Sequence, residues 1–269
     1  MSCHFEIIPR LLHFKQPAGT SRGTYTVRQV WYLHYTSSHY PGRTGIGECA
    51  PLPKLSCDDL PDYEATLTRI CRQIEEADGA FNPDTLRDYP SILFGIESAM
   101  RHCATGSQAL WDTPFSRGEA GIPINGLIWM GDYLSMLQQI ETKMQAGFRC
   151  IKLKIGAIGF EEELELLRHI RAHFSPREIE IRVDANGAFA PADAMDKLKR
   201  LAELDLHSIE QPIRAGQWEE MARLTAESPL PIALDEELIG CNTPEGKRRL
   251  LAAIRPQYII LKPSLHGGM

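Results

Sequence analysis

Lys154, Asp184, Glu210, Asp235 and Lys262 follow one another at intervals of 30, 26, 25 and 27 residues, about the length of one strand-plus-helix unit. Each closes a short run rich in Ile, Val and Leu, and a helical pattern follows all but the last. In a parallel (β/α) barrel the carboxyl ends of the strands open onto one face, where barrel enzymes keep their chemistry. Three carboxylates on that face, with a lysine on either side, read as a divalent metal site with two opposed proton-transfer groups. Taken singly, each acid is as readily a helix N-cap or a solvated loop residue. Taken together, they crowd like charges in a way that is unfavourable without a cation. An all-oxygen set of hard carboxylates suits Mg²⁺ or Mn²⁺ rather than zinc.

Lys152 and Lys154 flank Leu153, so strand alternation puts both on one face. Two neighbouring ammonium groups repel and lower each other's pKa, which helps supply a neutral lysine base. The plainer reading of Ile151-Lys-Leu-Lys-Ile155 is a surface strand with solvated lysines. In a closed eight-stranded barrel, strands two and six face each other, so Lys154 and Lys262 would stand across the substrate with the metal against one wall. A carbon acid beside a carboxylate is too weak for an unaided lysine. Metal coordination of that carboxylate stabilises the enediolate and makes the proton transfer feasible.

The elements needed to hold this set are visible in the pattern. The first hundred residues read as α+β: strands at 3–13, 25–36 and 43–50, then helices near 62–78 and 91–104. Gln16-Pro-Ala-Gly-Thr-Ser-Arg-Gly23 between the first two strands reads as a loop from its Gly and Pro content. Residues 106–121, rich in Gly, Ser, Pro and Asp, form the expected linker. From Ile122 strand and helix alternate, with strands near 122–128, 150–155, 179–184, 207–210, 231–235 and 257–262. Helices fall near 132–146, 160–173, 191–203, 216–227 and 243–253. Strict alternation predicts a parallel sheet, here a barrel. No Gly-x-Gly-x-x-Gly follows the first strand of the series, which lowers a dinucleotide-binding alternative.

The expectation is therefore an α/β protein with an α+β capping domain over 1–105, followed by an incomplete (β/α) barrel over 122–269. Six of the eight strands of a closed barrel are present, so the barrel is expected to be truncated after strand six. With 269 residues the chain can bury a large core, and its net charge of −6 gives no reason to expect nucleic acid or a membrane surface as partner. No secretory segment and no run of the roughly 20 apolar residues that span a bilayer are seen. The seven scattered cysteines suit reduced thiols in a cytosol. A homo-oligomer is compatible with the sequence.

These motifs resemble the enolase superfamily in its muconate-lactonising-enzyme-like branch. The resemblance spans the chain through Gly47-Glu48, Lys152-x-Lys154, Asp184-x-Asn186, Glu210-Gln211-Pro212, Asp235-Glu236 and Lys262-Pro263. It implies that Asp184, Glu210 and Asp235 bind Mg²⁺, that Lys154 is the acid/base, Lys262 the opposed lysine and Lys152 an electrostatic helper. Asn186 and Glu236 would support them. Within the branch, Pro17–Gly23, Gly45–Pro53 and Pro123–Trp129 are similar to the o-succinylbenzoate synthase family of menaquinone biosynthesis. That similarity implies dehydration of 2-succinyl-6-hydroxy-2,4-cyclohexadiene-1-carboxylate, a small carboxylate substrate. A mobile loop carrying Thr20, Ser21 and Arg22 would close over it, with Arg22 near an anionic group; an ordinary surface turn is the plainer alternative. Dipeptide epimerases and N-acylamino-acid racemases use the same five residues for two-base proton exchange. An inactive remnant that keeps the motifs, and a Schiff-base barrel needing only one lysine, are the remaining alternatives.

Overall fold

The computed structural model describes residues 2–20, 23–109 and 111–269, the side chains of 18–20 excepted. An antiparallel sheet opens the chain: β1 (Cys3–Thr20), β2 (Gly23–Ser37) and β3 (Thr44–Cys49), in the order β1-β2-β3. β1 and β2 pair over nearly their full length, so the expected loop at 16–23 shrinks: Ala18 pairs with Tyr25 and Thr20 with Gly23. A register shift between His13 and Ala18 takes up Pro17, which an edge strand tolerates because its missing N–H has no ladder partner to deprive.

Helices α1 (Tyr63–Glu76) and α2 (Pro90–Thr105) cover one face of this sheet. Pro90 opens α2 where its absent N–H is free of penalty, and Gly106 ends it in the left-handed conformation at φ 70°. Leu33, Tyr35, Leu67, Ile70, Ile92, Leu93 and Ile96 form the core between sheet and helices. A short 3₁₀ turn, Pro83–Leu86, joins the helices and was not anticipated from sequence.

A second sheet contains six parallel strands in sequential order. They are β4 (Gly126–Ile128), β5 (Cys150–Lys154), β6 (Glu180–Asp184), β7 (Ser208–Glu210), β8 (Ile232–Leu234) and β9 (Tyr258–Ile259). Between them run α3 (Tyr133–Gln145), α4 (Phe160–His173), α5 (Pro191–Ala202), α6 (Trp218–Glu227) and α7 (Pro244–Ile254), with the short α8 (Pro263–His266) after β9. The interior strands and helices lie close to their expected places. The outer strands are shorter than expected, because β4 and β9 each have one neighbour only. Ile122 and Ile124, expected in the first strand of the series, are exposed and precede β4.

Alternation sorts this sheet into two unlike faces. Ile151, Leu153, Ile181, Val183, Ile209, Ile232 and Leu234 pack outward against Leu164, Leu167 and Ile170 of α4, Leu198 of α5 and Met221 and Leu224 of α6. Full burial of one such aliphatic side chain stabilises by about 1.5–3 kcal/mol. The opposite parity carries Lys152, Lys154, Arg182, Asp184, Ser208 and Glu210. Helix α4 shows how local charge supports the arrangement: Glu161, Glu162 and Glu163 stand in its first turn, Arg171 and His173 in its last, each complementing the helix dipole.

The antiparallel unit reaches the carboxyl-end loops of the parallel sheet. Arg87 Nη1 donates to the Gly267 carbonyl at 2.8 Å, the Met269 amide to Glu97 Oε2 at 2.6 Å, and Asn242 Nδ2 to Cys57 Sγ at 3.3 Å.

Candidate active site

Strand register sets the geometry. Lys154 pairs with Asp184 and Asp184 with Glu210, so these three stand level at the ends of β5, β6 and β7. Glu210 pairs with Ala233 and Ala233 with Tyr258. Asp235 is thus two residues further along, and Lys262 follows Tyr258 by an even step. Lys154, Asp184 and Glu210 share one parity and one face, and Asp235 and Lys262, just past β8 and β9, meet each other through their side chains. The acids lie between the lysines in strand order, as the spacing predicts.

Burial at this rim is nearly complete for the acids: Asp184 is 1 % exposed, Glu210 4 % and Asp235 1 %. Lys152 Nζ lies between two of them, 3.0 Å from Asp184 Oδ2 and 2.5 Å from Glu210 Oε2. Lys154 Nζ donates to Asp184 Oδ2 at 2.9 Å and to Asn186 Oδ1 at 2.8 Å. Lys262 Nζ donates to Asp235 Oδ2. Asn186, at φ 45°, donates its backbone amide to Asp184 Oδ1 at 3.0 Å and its Nδ2 to Glu236 Oε1 at 3.0 Å. The two supporting residues thereby join the ends of β6 and β8. Behind Lys154, Glu163 Oε1 accepts from the Gly156 amide at 2.5 Å and from the Ala157 amide at 3.2 Å, holding the loop that follows β5.

Electrostatics differ sharply between neighbours. Burial alone raises the Asp184 carboxyl, but Lys152 and Lys154 outweigh it and hold the group below its ordinary range. Glu210 is pushed up to about 8, first by burial and then by the like charges of Asp184 and Asp235, with Lys152 opposing. Burial pulls Lys152 down, yet Asp184 and Glu210 together raise it. The expectation that Lys152 is lowered by its lysine neighbour is therefore corrected: two carboxylates lie within salt-bridge distance of its ammonium.

Among the described residues, no three His, Cys, Asp or Glu side chains already form a ready-made metal cluster. The Lys152 ammonium lies between two of the acids instead, and Lys154 and Lys262 each pair with one. Two features nevertheless fit a hard cation. Asp235 Oδ1 and Glu236 Oε2 are buried with no hydrogen-bond partner, and burial first, then the charge of Asp184, holds Glu210 from ionising. Every donor in the set is a carboxylate oxygen, the preference of Mg²⁺.

A cleft of about 300 Å³ lies on the same inner face, lined by Lys152 and Glu210 with Asn125, Arg182, Ser208 and Tyr258 among others. Thr20 closes β1, while Ser21 and Arg22 lie outside the described residues, so the expected substrate loop is not placed against this rim. Sequence reasoning gave no role to Gln211, Glu237 or His266. All three are buried, and His266 Nδ1 accepts from the Lys262 amide at 3.2 Å. Burial pushes the His266 imidazole down to about 4. Gln211 stands inside the Glu210-Gln211-Pro212 motif with no role of its own, and only adjacency to the acids and to Lys262 marks Glu237 and His266.

The family described as enolase C-terminal domain-like matches residues 135–269. o-Succinylbenzoate synthase of Desulfotalea psychrophila is 45% identical over 292 residues, an alignment covering 96% of this chain and 77% of that protein. The crystal structure of MenC from the same organism superposes with a TM-score of 0.80 at 40% identity, covering all of this chain and 80% of that one. o-Succinylbenzoate synthase from Thermosynechococcus elongatus, solved with Mg in its active site, has a TM-score of 0.76 at 24% identity over 98% of this chain and 77% of its own, a likeness of fold. The chain belongs to the enolase superfamily and is similar to o-succinylbenzoate synthase.

Proposed function

We propose that the chain catalyses dehydration of 2-succinyl-6-hydroxy-2,4-cyclohexadiene-1-carboxylate to o-succinylbenzoate, the reaction expected of a menaquinone-pathway enzyme in a reducing cytoplasm. The observation that carries this reading is the 45% identity to an o-succinylbenzoate synthase over 96% of the chain. Asp184, Glu210 and Asp235 would hold a divalent cation, Mg²⁺ or Mn²⁺, whose charge would offset the negative charge that grows on the ring carboxylate as its α-proton leaves.

Lys154, as the free amine, takes the proton from the ring carbon bearing the carboxylate. The C–H electrons enter the ring, the hydroxyl on the neighbouring carbon leaves, and with the abstracted proton the loss amounts to one water. Aromatisation drives the step. Lys152 keeps its proton between Asp184 and Glu210 and lowers the negative potential of the rim. Lys262, on the Asp235 side, opposes the developing charge electrostatically. The remote succinyl carboxylate calls for a cation, the role proposed for Arg22, with Thr20 and Ser21 beside it in sequence. Residues 1–105 would act as a capping domain, 106–121 as its linker and 122–269 as the barrel domain.

The test is product formation with Mg²⁺ and with EDTA, run in D₂O. Metal-dependent aromatisation is the expected result. Exchange of substrate α-protons with no loss of water would replace this reading with an epimerase or racemase, and neither activity would leave the chain a non-catalytic relative.

A further inference from the structure

Gln211, next to Glu210, has no solvent-accessible surface and a backbone φ of 42°. The left-handed conformation costs a non-glycine residue roughly 1–2 kcal/mol, so something around it must hold it there. Its side-chain amide is fully engaged. Oε1 accepts from the Asp235 amide at 3.2 Å and from the Glu237 amide at 3.2 Å. Nε2 donates to the Ile213 carbonyl at 3.0 Å and to Glu237 Oε2 at 3.1 Å. Glu237 Oε1 in turn accepts from the Gly216 amide at 2.8 Å.

The main chain of Gln211 extends the same web. Its amide donates to the Ala233 carbonyl at 2.9 Å, and its carbonyl accepts from Gly187 at 2.7 Å, in the loop that carries Asn186. One residue thus ties together the segments after β6, β7 and β8, which follow Asp184 and Glu210 and begin at Asp235. Asp235 itself opens the 3₁₀ turn Glu236–Leu238 at φ −125° and ψ −79°, and its side chain makes no capping bond. The first amides of such a turn have no partner inside it, and Gln211 Oε1 supplies the acceptor for two of them.

We propose that Gln211 is a positioning residue for the cation site: it fixes the Asp235 backbone beside Glu210, and Glu237 fixes the Gln211 amide in turn. The inference rests on the cation reading of the rim given under Proposed function. A residue that merely satisfied a buried turn would support the fold equally with and without a cation. A positioning residue changes how tightly the acids close on one.

The experiment is calorimetric titration of Mg²⁺ into the unmodified chain, Gln211→Gly and Gln211→Glu, with circular dichroism and metal-free melting recorded on the same samples. Gln211→Gly accepts the positive φ while removing the clamp; Gln211→Glu keeps the size but sets a carboxylate against Glu237 and the Ile213 carbonyl. Weakening of Mg²⁺ binding by roughly 10- to 100-fold in the folded variants, the range for lost outer-sphere support, is the expected result. Equal affinity in unmodified and folded variant chains overturns the positioning role and leaves the cation reading standing. No Mg²⁺ binding by the unmodified chain overturns both. Should neither variant fold, amide hydrogen exchange on the unmodified chain with and without Mg²⁺ decides: exchange at Asp235 and Glu237 that slows when Mg²⁺ is added supports the positioning role, and exchange unchanged by bound Mg²⁺ overturns it.

Discussion

In the cap, Gly45 and Gly47 let β3 lie directly on α2. A Cβ added at Gly45 would fall 1.8 Å from the Ala99 carbonyl oxygen, and one at Gly47 1.9 Å from that of Gly95. At the rim of the parallel sheet, residues just as buried are held by charge: three acids threaded with Lys152, Lys154 and Lys262. The cap also buries an acid, Asp58, and answers one of its oxygens locally: Oδ2 accepts from the Ser91 amide at 2.8 Å and from Ser91 Oγ at 2.6 Å, while Oδ1 has no hydrogen-bond partner and burial raises the carboxyl. A lone buried carboxylate can stay near neutral with donors on one oxygen. Three side by side need cations, and the lysines supply them here. Shape is the constraint in one region and charge balance in the other.

That contrast can be broken at either end. Lys154→Met should lower turnover by roughly 10³-fold, the scale of a lost general base, as steady-state kinetics would show, and should also lower the denaturant midpoint, because it takes one of two lysines from buried Asp184. A variant retaining near-parent turnover would remove Lys154 from the reaction. Gly47→Ala should act on the fold alone, destabilising by about 3 kcal/mol through forced backbone movement, read as a lower denaturant midpoint with Mg²⁺ affinity of the folded fraction unchanged.

The pH response sharpens the rim side. Because the folded Glu210 carboxyl titrates near 8, against about 4.3 in an unfolded chain, its contribution to stability is full below the lower value and lost as pH rises through the upper one. Metal-free protein should therefore weaken between about pH 4.3 and pH 8. Asp184, held low, contributes in the opposite sense, its share being lost only as pH falls below the ordinary carboxylate range. Glu210→Gln should remove the upper slope, gaining on the order of 2 kcal/mol at pH 8 without metal, and should not share the rise in melting temperature expected of the parent on adding Mg²⁺. Thermal melts across pH with and without EDTA check both.

The smallest effect belongs to the cap. Tyr63 Oη lies 2.6 Å from Ser91 Oγ, which already donates to Asp58, so Tyr63 is the donor. Tyr63→Phe should cost about 1 kcal/mol with no change in turnover. An altered pH–rate profile would show that cap and rim are electrostatically coupled.

The order of strands and the face shared by Lys154, Asp184 and Glu210 were legible because parity and spacing are properties of the chain itself. Leu153 between Lys152 and Lys154 announces which side is polar, and the Ile-Arg-Val-Asp run repeats the message. Gln211 was not legible, since its role depends on a left-handed φ and on amides contributed from 24 and 26 residues away. The extension of β1 to Thr20 was hidden for another reason: Gly and Pro mark a turn by local preference, while pairing with β2 and a register shift override it. The sign of the Lys152 shift was missed because the sequence shows its lysine neighbour but not the distance to two acids.

The level alignment of Lys154, Asp184 and Glu210 has a consequence for how such a chain can drift over generations. Gains or losses of residues between strands alter only the connecting loops. A single-codon deletion inside β6, by contrast, would shift Asp184 by about 3.3 Å and turn it to the helix-facing side. Length variation should therefore be barred from the strands and tolerated just beyond them, so that the spacing between acids can wander while their parity cannot.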